Sequence, residues 1–466
     1  MSTSPALQRT YSPIDGSVLV ERELMRAEQL DATLERAKRA AATWKAVPLA
    51  ERKALCSRLV QHMVDRAPQL AELLTKQMGR PIAHTPGELT RGFADRSRYM
   101  IEVADEALAD LPAQEKPGFR RFMRHEPVGV VLVLAPWNYP YLTSVNAVIP
   151  ALVAGNTVVL KHSDQTPLCA EHYAEAAAAV GLPAGVLSHV CCTHDDVAKL
   201  VRDPRVQLVL FTGSTAGGHA IVRAASERFV QVGLELGGKD PAYVRADADV
   251  DNAVENLVDG ALFNAGQSCC AVERIYVHGS LYDRFVEAAV ALTRKYVLGN
   301  PLDPSTTLGP LARASAAQAV RARIAEAVAH GARALVPEAE FPASRVGTAY
   351  LAPQVLADVA PTMRIAREEN FGPVACISKV GSDEEALARM NDSAFGLTAS
   401  IWTRDAEAAL RLGDQLETGT VFMNRCDYLD PELAWTGVKD SGRGCTLSKL
   451  GYAYLTRPKS FHLRIG

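Results

Sequence analysis

The apolar positions of this chain change their period at Pro127. Before it they recur at helical spacing. The stretch AEQLDATLERAKRAAATWKAVP, from Ala27, sets them among Ala, Leu, Glu and Lys, and LAERKALCSRLVQHMVDRA and RYMIEVADEALADL follow the same pattern, so the first third is expected to be mostly helical. Past Pro127, short continuous apolar runs take over: VGVVLVLA, NTVVLK, GVLSHVCC, VQLVLFTG and FVQVGLEL. A run that is apolar at every position suits a strand covered on both faces, as in a parallel sheet. Helix-like segments such as LCAEHYAEAAAAVGLP lie between the runs, and this β-α-β succession predicts a doubly wound sheet. A second α/β series follows Glu235. Its strands are RIYVHG, PVACISKV, ASIWT and TGTVFMN, and its helices are SLYDRFVEAAVALTRKYV, SDEEALARMN and RDAEAALRLGDQL. The tail, PKSFHLRIG, alternates apolar and polar residues and reads as an edge strand in need of a partner.

Composition narrows the classes open to such a chain. Its 466 residues suggest about three domain-sized units, with cores large enough to need no staple. A formal net charge of -3, from 50 basic and 53 acidic side chains, argues against nucleic-acid or membrane-surface binding. No uninterrupted apolar window reaches transmembrane length, and the opening MSTSPALQRTYSPIDGS lacks the pattern of a secretory leader. The nine cysteines include two adjacent pairs, Cys191-Cys192 and Cys269-Cys270, but no metal-ligand spacing. Reduced thiols, a cytoplasmic location and no metal are expected.

Five segments carry candidate chemistry. In FNAGQSCC a helix-like segment leads through Gly266 and Ser268 to Cys269, leaving a thiol open to close approach. A lone cysteine is more often a buried structural one, so context matters. In LELGGKDP, Glu235 ends a strand, where ligands of α/β folds bind, and is placed to act as a base; alone it is as well read as a solvated strand end. In VLVLAPWNYPY a strand runs into Pro136, Trp137 and Asn138, whose amide can donate to an oxyanion or merely shape a turn. In VQLVLFTGSTAGGHAIV a strand opens through Gly-Ser-Thr into a helix whose N-terminus can face a phosphate, though the spacing is not that of a dinucleotide fingerprint or a P-loop. Past the strand in NTVVLKHSDQTPLCA stand Lys161 and Asp164, a ribose clamp or a surface ion pair.

Taken together and in this order, PWNYP, FTGSTAGG, LELGGKDP, FNAGQSCC and EENFGPV resemble the aldehyde dehydrogenase superfamily over nearly the whole chain, from about Tyr11 onward. The resemblance implies two doubly wound Rossmann-like parallel-sheet α/β domains with a small β flap that builds homodimers or homotetramers. Residues 1–118 and 127–234 would form the NAD(P)-binding domain, 235–450 the catalytic domain, and 119–126 with 451–466 the flap. It further implies Cys269 as nucleophile, Glu235 as general base, and Asn138 as oxyanion donor with the Cys269 backbone N–H. Lys161 would hold the adenosine ribose with Asp164 in place of a usual Glu. Ser214 and the turn Gly213 to Gly218 would meet the pyrophosphate, Glu369 the nicotinamide ribose, with Phe371 packing near the ring, and Trp137 is a further cofactor-binding candidate. The sequence departs from the family's common pattern at His162, at Asn370 and in AWTGVK, which suggests that Trp435 lines or closes the substrate tunnel.

The implied reaction oxidises an aldehyde through a thioester on Cys269, hydrolysed with the help of Glu235. A CoA-acylating relative would typically lack that base, and a non-catalytic protein retaining the fold would not be expected to keep Cys269, Glu235 and Asn138 together. Asp164 would repel a 2′-phosphate, so NAD+ is favoured over NADP+. Thr143, Asn146, Arg425, Asp427 and Trp435 are candidate tunnel-lining residues for a small-molecule aldehyde. The helix after Asn138, YPYLTSVNAVIP, contains no Lys or Arg, so a carboxylate-tailed aldehyde is not favoured.

Overall fold

The computed structural model describes residues 6–465 and divides the two α/β series between two sheets. In the first, the strands run Gly442–Arg443, Gln231–Glu235, Val206–Thr212, Val130–Ala135, Thr157–His162 and Leu187–His189, all parallel except the first. The reason for the continuous apolar runs is visible in Val130–Ala135. Val131, Val133 and Ala135 enter one buried cluster and Val130, Leu132 and Leu134 enter another on the opposite face, so both sets of alternate side chains are covered. The expected helices form as Ala27–Trp44, Leu49–Asp65 and Ala94–Ala107.

The second sheet orders Arg333–Ala334, Gln354–Ala357, Val374–Val380, Val272–His278, Asp240–Val244, Thr398–Trp402 and Thr420–Met423, parallel throughout except for its first strand. Asp240–Val244 was not expected: its sequence, DPAYV, begins with a charged residue and a proline, both depleted in strands. The hairpin of Leu7–Tyr11 with Val18–Glu23 is likewise hidden in a polar stretch. The tail strand finds its partner. Thr456–Arg464 pairs antiparallel with Phe119–Pro127 along its length, with the rings of Phe122 and Phe461 stacked at 4.6 Å, and Leu111–Pro112 adds a third strand.

Two departures from the sequence reading bear on the site. The helix expected to run to Gly266 ends at Leu262, and Phe263–Gly266 forms a tight turn with Asn264 and Ala265 at positive φ. Gly442–Arg443, from the segment assigned to the catalytic domain, pairs instead with Glu235 and Leu234 at the edge of the first sheet.

Candidate active site

The carboxyl ends of the first sheet's strands open on a cavity of about 790 Å³, where the switch-point rule for α/β folds places a ligand. Its wall contains Cys269, Glu235 and Asn138 together with Lys161, Asp164, Gly213, Ser214, Trp137, Glu369, Phe371 and Thr143.

The loop that presents Cys269 is strained and held by buried polar groups. Asn264, Ala265 and Gly266 follow one another at φ of 53°, 55° and 70°, a left-handed run that costs free energy in the first two. A Cβ on Gly266 would lie 2.2 Å from the Gly372 carbonyl oxygen, so only glycine fits. Asn264 Nδ2 donates to the carbonyls of Asn138 and Gln267, both at 3.2 Å, and Asn138 Nδ2 donates to the Gln267 carbonyl at 3.1 Å. Arg80 donates to the Asn138 carbonyl and through Nη1 to Glu88 Oε2 at 2.5 Å. Glu88 Oε1 in turn accepts the backbone N–H groups of Tyr141 and Leu142, at 2.8 and 3.0 Å, and so caps the helix Pro140–Ala154 that follows Asn138. The oxyanion candidate and the thiol loop are thereby tied to one scaffold. Sequence reasoning found neither Arg80 nor Glu88, since a single Arg and Glu in a helical region carry no motif.

Glu235 ends its strand with both carboxylate oxygens engaged. Oε2 accepts from Thr212 Oγ1 at 3.1 Å and Oε1 from Thr446 Oγ1 at 2.5 Å. Burial raises its pKa above the ordinary carboxylate range, while the two threonine hydroxyls and the Arg96 charge oppose the rise. Thr446 is set by backbone hydrogen bonds in both directions with Trp435, whose side chain is buried.

At the other wall, Ser214 caps the helix Thr215–Ala225, its Oγ accepting from the Gly217 N–H at 3.2 Å. The remaining N–H groups of that first turn have no partner within the helix, as an anion site requires. Gly213 and Gly217 leave room for the Phe211 ring, which a Cβ on either would strike at 2.5 or 2.6 Å. Gly217, and not Gly218, lies in the cavity wall; Gly218 packs beneath Leu236. Lys161, almost wholly buried, donates to Asp164 Oδ1 at 3.0 Å. Glu369 Oε1 accepts the Gly238 N–H at 3.1 Å, and burial, reinforced by the nearby Glu273 charge, pushes its pKa up to about 8. The rings of Trp137 and Phe371 meet edge to face at 5.5 Å.

The other expected tunnel residues lie outside this cavity wall. Asp427 Oδ1 accepts from Ser268 Oγ at 3.2 Å and from Cys270 Sγ at 2.9 Å, and burial raises its pKa to about 7. Arg425 is exposed, its guanidinium 3.3 Å from the centre of the Tyr428 ring. Trp435 packs into the large core beside the first sheet. Asn146 is buried and accepts at Oδ1 from Arg96 Nη1, at 3.2 Å. Arg96, from the helix Ala94–Ala107, was not anticipated; burial lowers its pKa and the Glu235 charge opposes that fall.

Comparison with known proteins agrees with this geometry. The sequence model of the aldehyde dehydrogenase family matches residues 1–461. The chain is similar to an aldehyde dehydrogenase of Paenarthrobacter nicotinovorans, 37% identical over 95% of this chain and 96% of that one. It is 34% identical to an NADP(+) succinate-semialdehyde dehydrogenase of Deinococcus radiodurans, over 97% and 93% of the two chains. Among solved structures it resembles the succinic semialdehyde dehydrogenase of Streptococcus pyogenes in complex with NADP+, with a TM-score of 0.93 and 32% identity over 98% of this chain and all of that one. It also resembles an NAD-dependent aldehyde dehydrogenase of Sinorhizobium meliloti, with a TM-score of 0.94 and 32% identity over 99% and 92%. The chain belongs to the aldehyde dehydrogenase family, and its reaction is the NAD(P)-dependent oxidation of an aldehyde.

Proposed function

We propose that this chain oxidises its aldehyde to a carboxylic acid with Cys269 as nucleophile, Asn138 as oxyanion donor and Glu235 as the base for hydrolysis. The observation that carries the reading is that all three line one cavity with Lys161, Asp164 and the turn at Gly213 and Ser214. That cavity fits a dinucleotide: a buried cation, a helix N-terminus with glycine at Gly217 and Gly218, and an edge-to-face aromatic pair lie along one wall. When bound, the nicotinamide supplies the hydride acceptor.

The protein's own part has three stages. Cys269 Sγ adds to the carbonyl carbon, and the Asn138 amide with the Cys269 backbone N–H stabilises the oxyanion, each such donor lowering the barrier by about 3 kcal/mol. Loss of hydride from the tetrahedral carbon leaves a thioester on Cys269. Glu235 takes a proton from water as its oxygen attacks the thioester, the C–S bond breaks, and the thiolate and the acid are released. A base whose pKa lies above the usual carboxylate range is better matched to this proton transfer near neutral pH.

Residues 1–118 and 127–234, joined at the sheet edge by Gly442–Arg443, serve as the cofactor domain, the rest of 235–450 as the catalytic domain, and 119–126 with 451–466, extended by Leu111–Pro112, as a flap that joins copies of the chain into dimers or tetramers. The enzyme acts in the cytoplasm, with its cysteines reduced. It prefers NAD+, because the Asp164 carboxylate beside Lys161 opposes a 2′-phosphate; this sets it apart from relatives named for NADP+. The test is NAD(P)H absorbance with an aldehyde panel, with each cofactor, with and without CoA. Turnover without CoA and faster with NAD+ is expected. No turnover with any aldehyde refutes the mechanism, a strict need for CoA refutes hydrolysis by Glu235, and faster turnover with NADP+ refutes the cofactor preference.

A further inference from the structure

A second cavity, of about 740 Å³, is lined by the turn after the strand Leu7–Tyr11 and by the loop around Arg345, and the reaction does not use it. Its volume suits a small molecule. Three arginines line it: Arg9, Arg313 and Arg345. Arg9 donates through Nε to Glu21 Oε2, at 2.6 Å, and Arg313 through Nε to Gln165 Oε1, at 3.1 Å. Among the described residues no acceptor meets the Nη atoms of either, and none meets the Arg345 side chain. The two carboxylates of the lining are engaged elsewhere. Asp15 Oδ1 accepts from the Ser17 N–H and Oγ, at 2.9 and 2.6 Å, and Asp164 Oδ1 accepts from Lys161 Nζ, at 3.0 Å. Arg313 and Arg345 therefore line one cavity without a counter-ion, and a concave wall of one sign draws ions of the other.

The walls are fixed before any ligand arrives. Gln165, which holds Arg313, is 5% exposed, and its Nε2 donates to the carbonyls of Tyr11 and Gln77, at 3.2 and 2.6 Å. Tyr350 Oη donates to the Ile14 carbonyl at 3.4 Å, which ties the loop to the turn. With Nε occupied, the Nη1 and Nη2 groups of Arg9 and Arg313 remain as forks for a carboxylate or a phosphate. All three arginines are exposed, so an incoming anion reaches them without any element moving.

Arg313 and Asp164 also line the active-site cavity, so the two cavities share a wall. We propose that the second cavity binds a small multivalent oxyanion, and that its occupant weakens dinucleotide binding next door. A ligand that engages Arg313 withdraws its charge from the phosphates of the dinucleotide, and like charges on the two sides of one wall repel. Linkage makes the effect reciprocal: the anion weakens the cofactor by the factor with which the cofactor weakens the anion. The coupling, though not the site itself, rests on the reading of the larger cavity as the dinucleotide site.

Citrate and pyrophosphate, a polycarboxylate and a polyphosphate, are titrated into the whole chain by calorimetry, with chloride holding the ionic strength constant. The tighter of the two identifies the source of the oxyanion. Binding at one site is expected, weakened by about 10-fold or more in Arg345→Gln. That substitution leaves the NAD+ Kd unchanged, because Arg345 lines only the second cavity. A saturating probe is expected to raise the Kd of NAD+ by about 10-fold, to a plateau, and NAD+ to raise that of the probe equally. No binding of either probe, or binding that Arg345→Gln leaves alone, overturns the site. An NAD+ Kd that rises without limit as probe is added also overturns it, because the probe then competes within the cofactor cavity. Binding that depends on Arg345 with an unchanged NAD+ Kd keeps the site and overturns the coupling. Lys161→Gln tests the reading beneath: if it leaves the NAD+ Kd unaltered, the dinucleotide binds elsewhere and that reading falls, whatever the anion does.

Discussion

Cys269 and Cys270 are adjacent in sequence and sit in different chemical settings. Cys270 is buried, its thiol donates to Asp427, and hydrogen bonding with the Cys269 sulfur, then burial, then the Asp427 charge push its pKa well above the ordinary thiol value. A thiol kept protonated is a poor nucleophile. Cys269 instead opens on the cavity. Cys269→Ser is expected to lower kcat by more than about 1000-fold, while Cys270→Ser retains most activity; steady-state rates of the two variants check this, and the reverse outcome moves the nucleophile by one residue. Glu235 offers a pH test. Its base role needs the charged form, which burial disfavours and the Thr446 hydroxyl favours. Thr446→Val removes that hydroxyl, so the acidic limb of the kcat profile moves to higher pH and activity falls more at pH 6 than at pH 8. An unmoved limb would show that Glu235 does not set it.

At the scale of elements, the helix Pro140–Ala154 and the turn Phe263–Gly266 act as one unit through Arg80, Glu88, Asn138 and Asn264. Glu88 pairs with Arg80 and caps the helix at two N–H groups, with its side chain fully enclosed. Glu88→Ala leaves Arg80 buried without its partner and is expected to destabilise the protein by about 3–5 kcal/mol. Urea unfolding measures this, and a loss under 1 kcal/mol would mean that the network relaxes around the gap. The same polar links explain how the left-handed residues before Cys269 persist: the surroundings over-determine a backbone that isolated residues avoid.

At the scale of the molecule, the sheet of Phe119–Pro127 and Thr456–Arg464 keeps apolar side chains exposed, with Met123 at 39% and Leu463 at 42%. Such side chains on a small three-stranded sheet fit a surface that another copy covers. Leu463→Glu is expected to shift the protein toward smaller species in sedimentation velocity at micromolar concentration. A wild type that sediments as a monomer removes the oligomeric flap, and an unchanged distribution in the variant places the contact elsewhere.

By itself the sequence determined the two α/β series, because strands buried on both faces must be apolar at every position and helices between them must not. It also determined the nucleophile, base and amide candidates, because these stand in short motifs at strand ends and turns. What only the tertiary structure decided are groups brought together from far along the chain. Arg96, Arg80 and Glu88 lie in a helical region without motif, and Thr446 lies some two hundred residues from the Glu235 it holds. Gly217 replaced Gly218 in the cavity wall because helix rotation, not spacing from the strand, sets which glycine faces inward. Asp427 and Trp435 took up supporting contacts with Cys270 and Thr446, since a side chain's partner depends on the packing around it and cannot be read from its type.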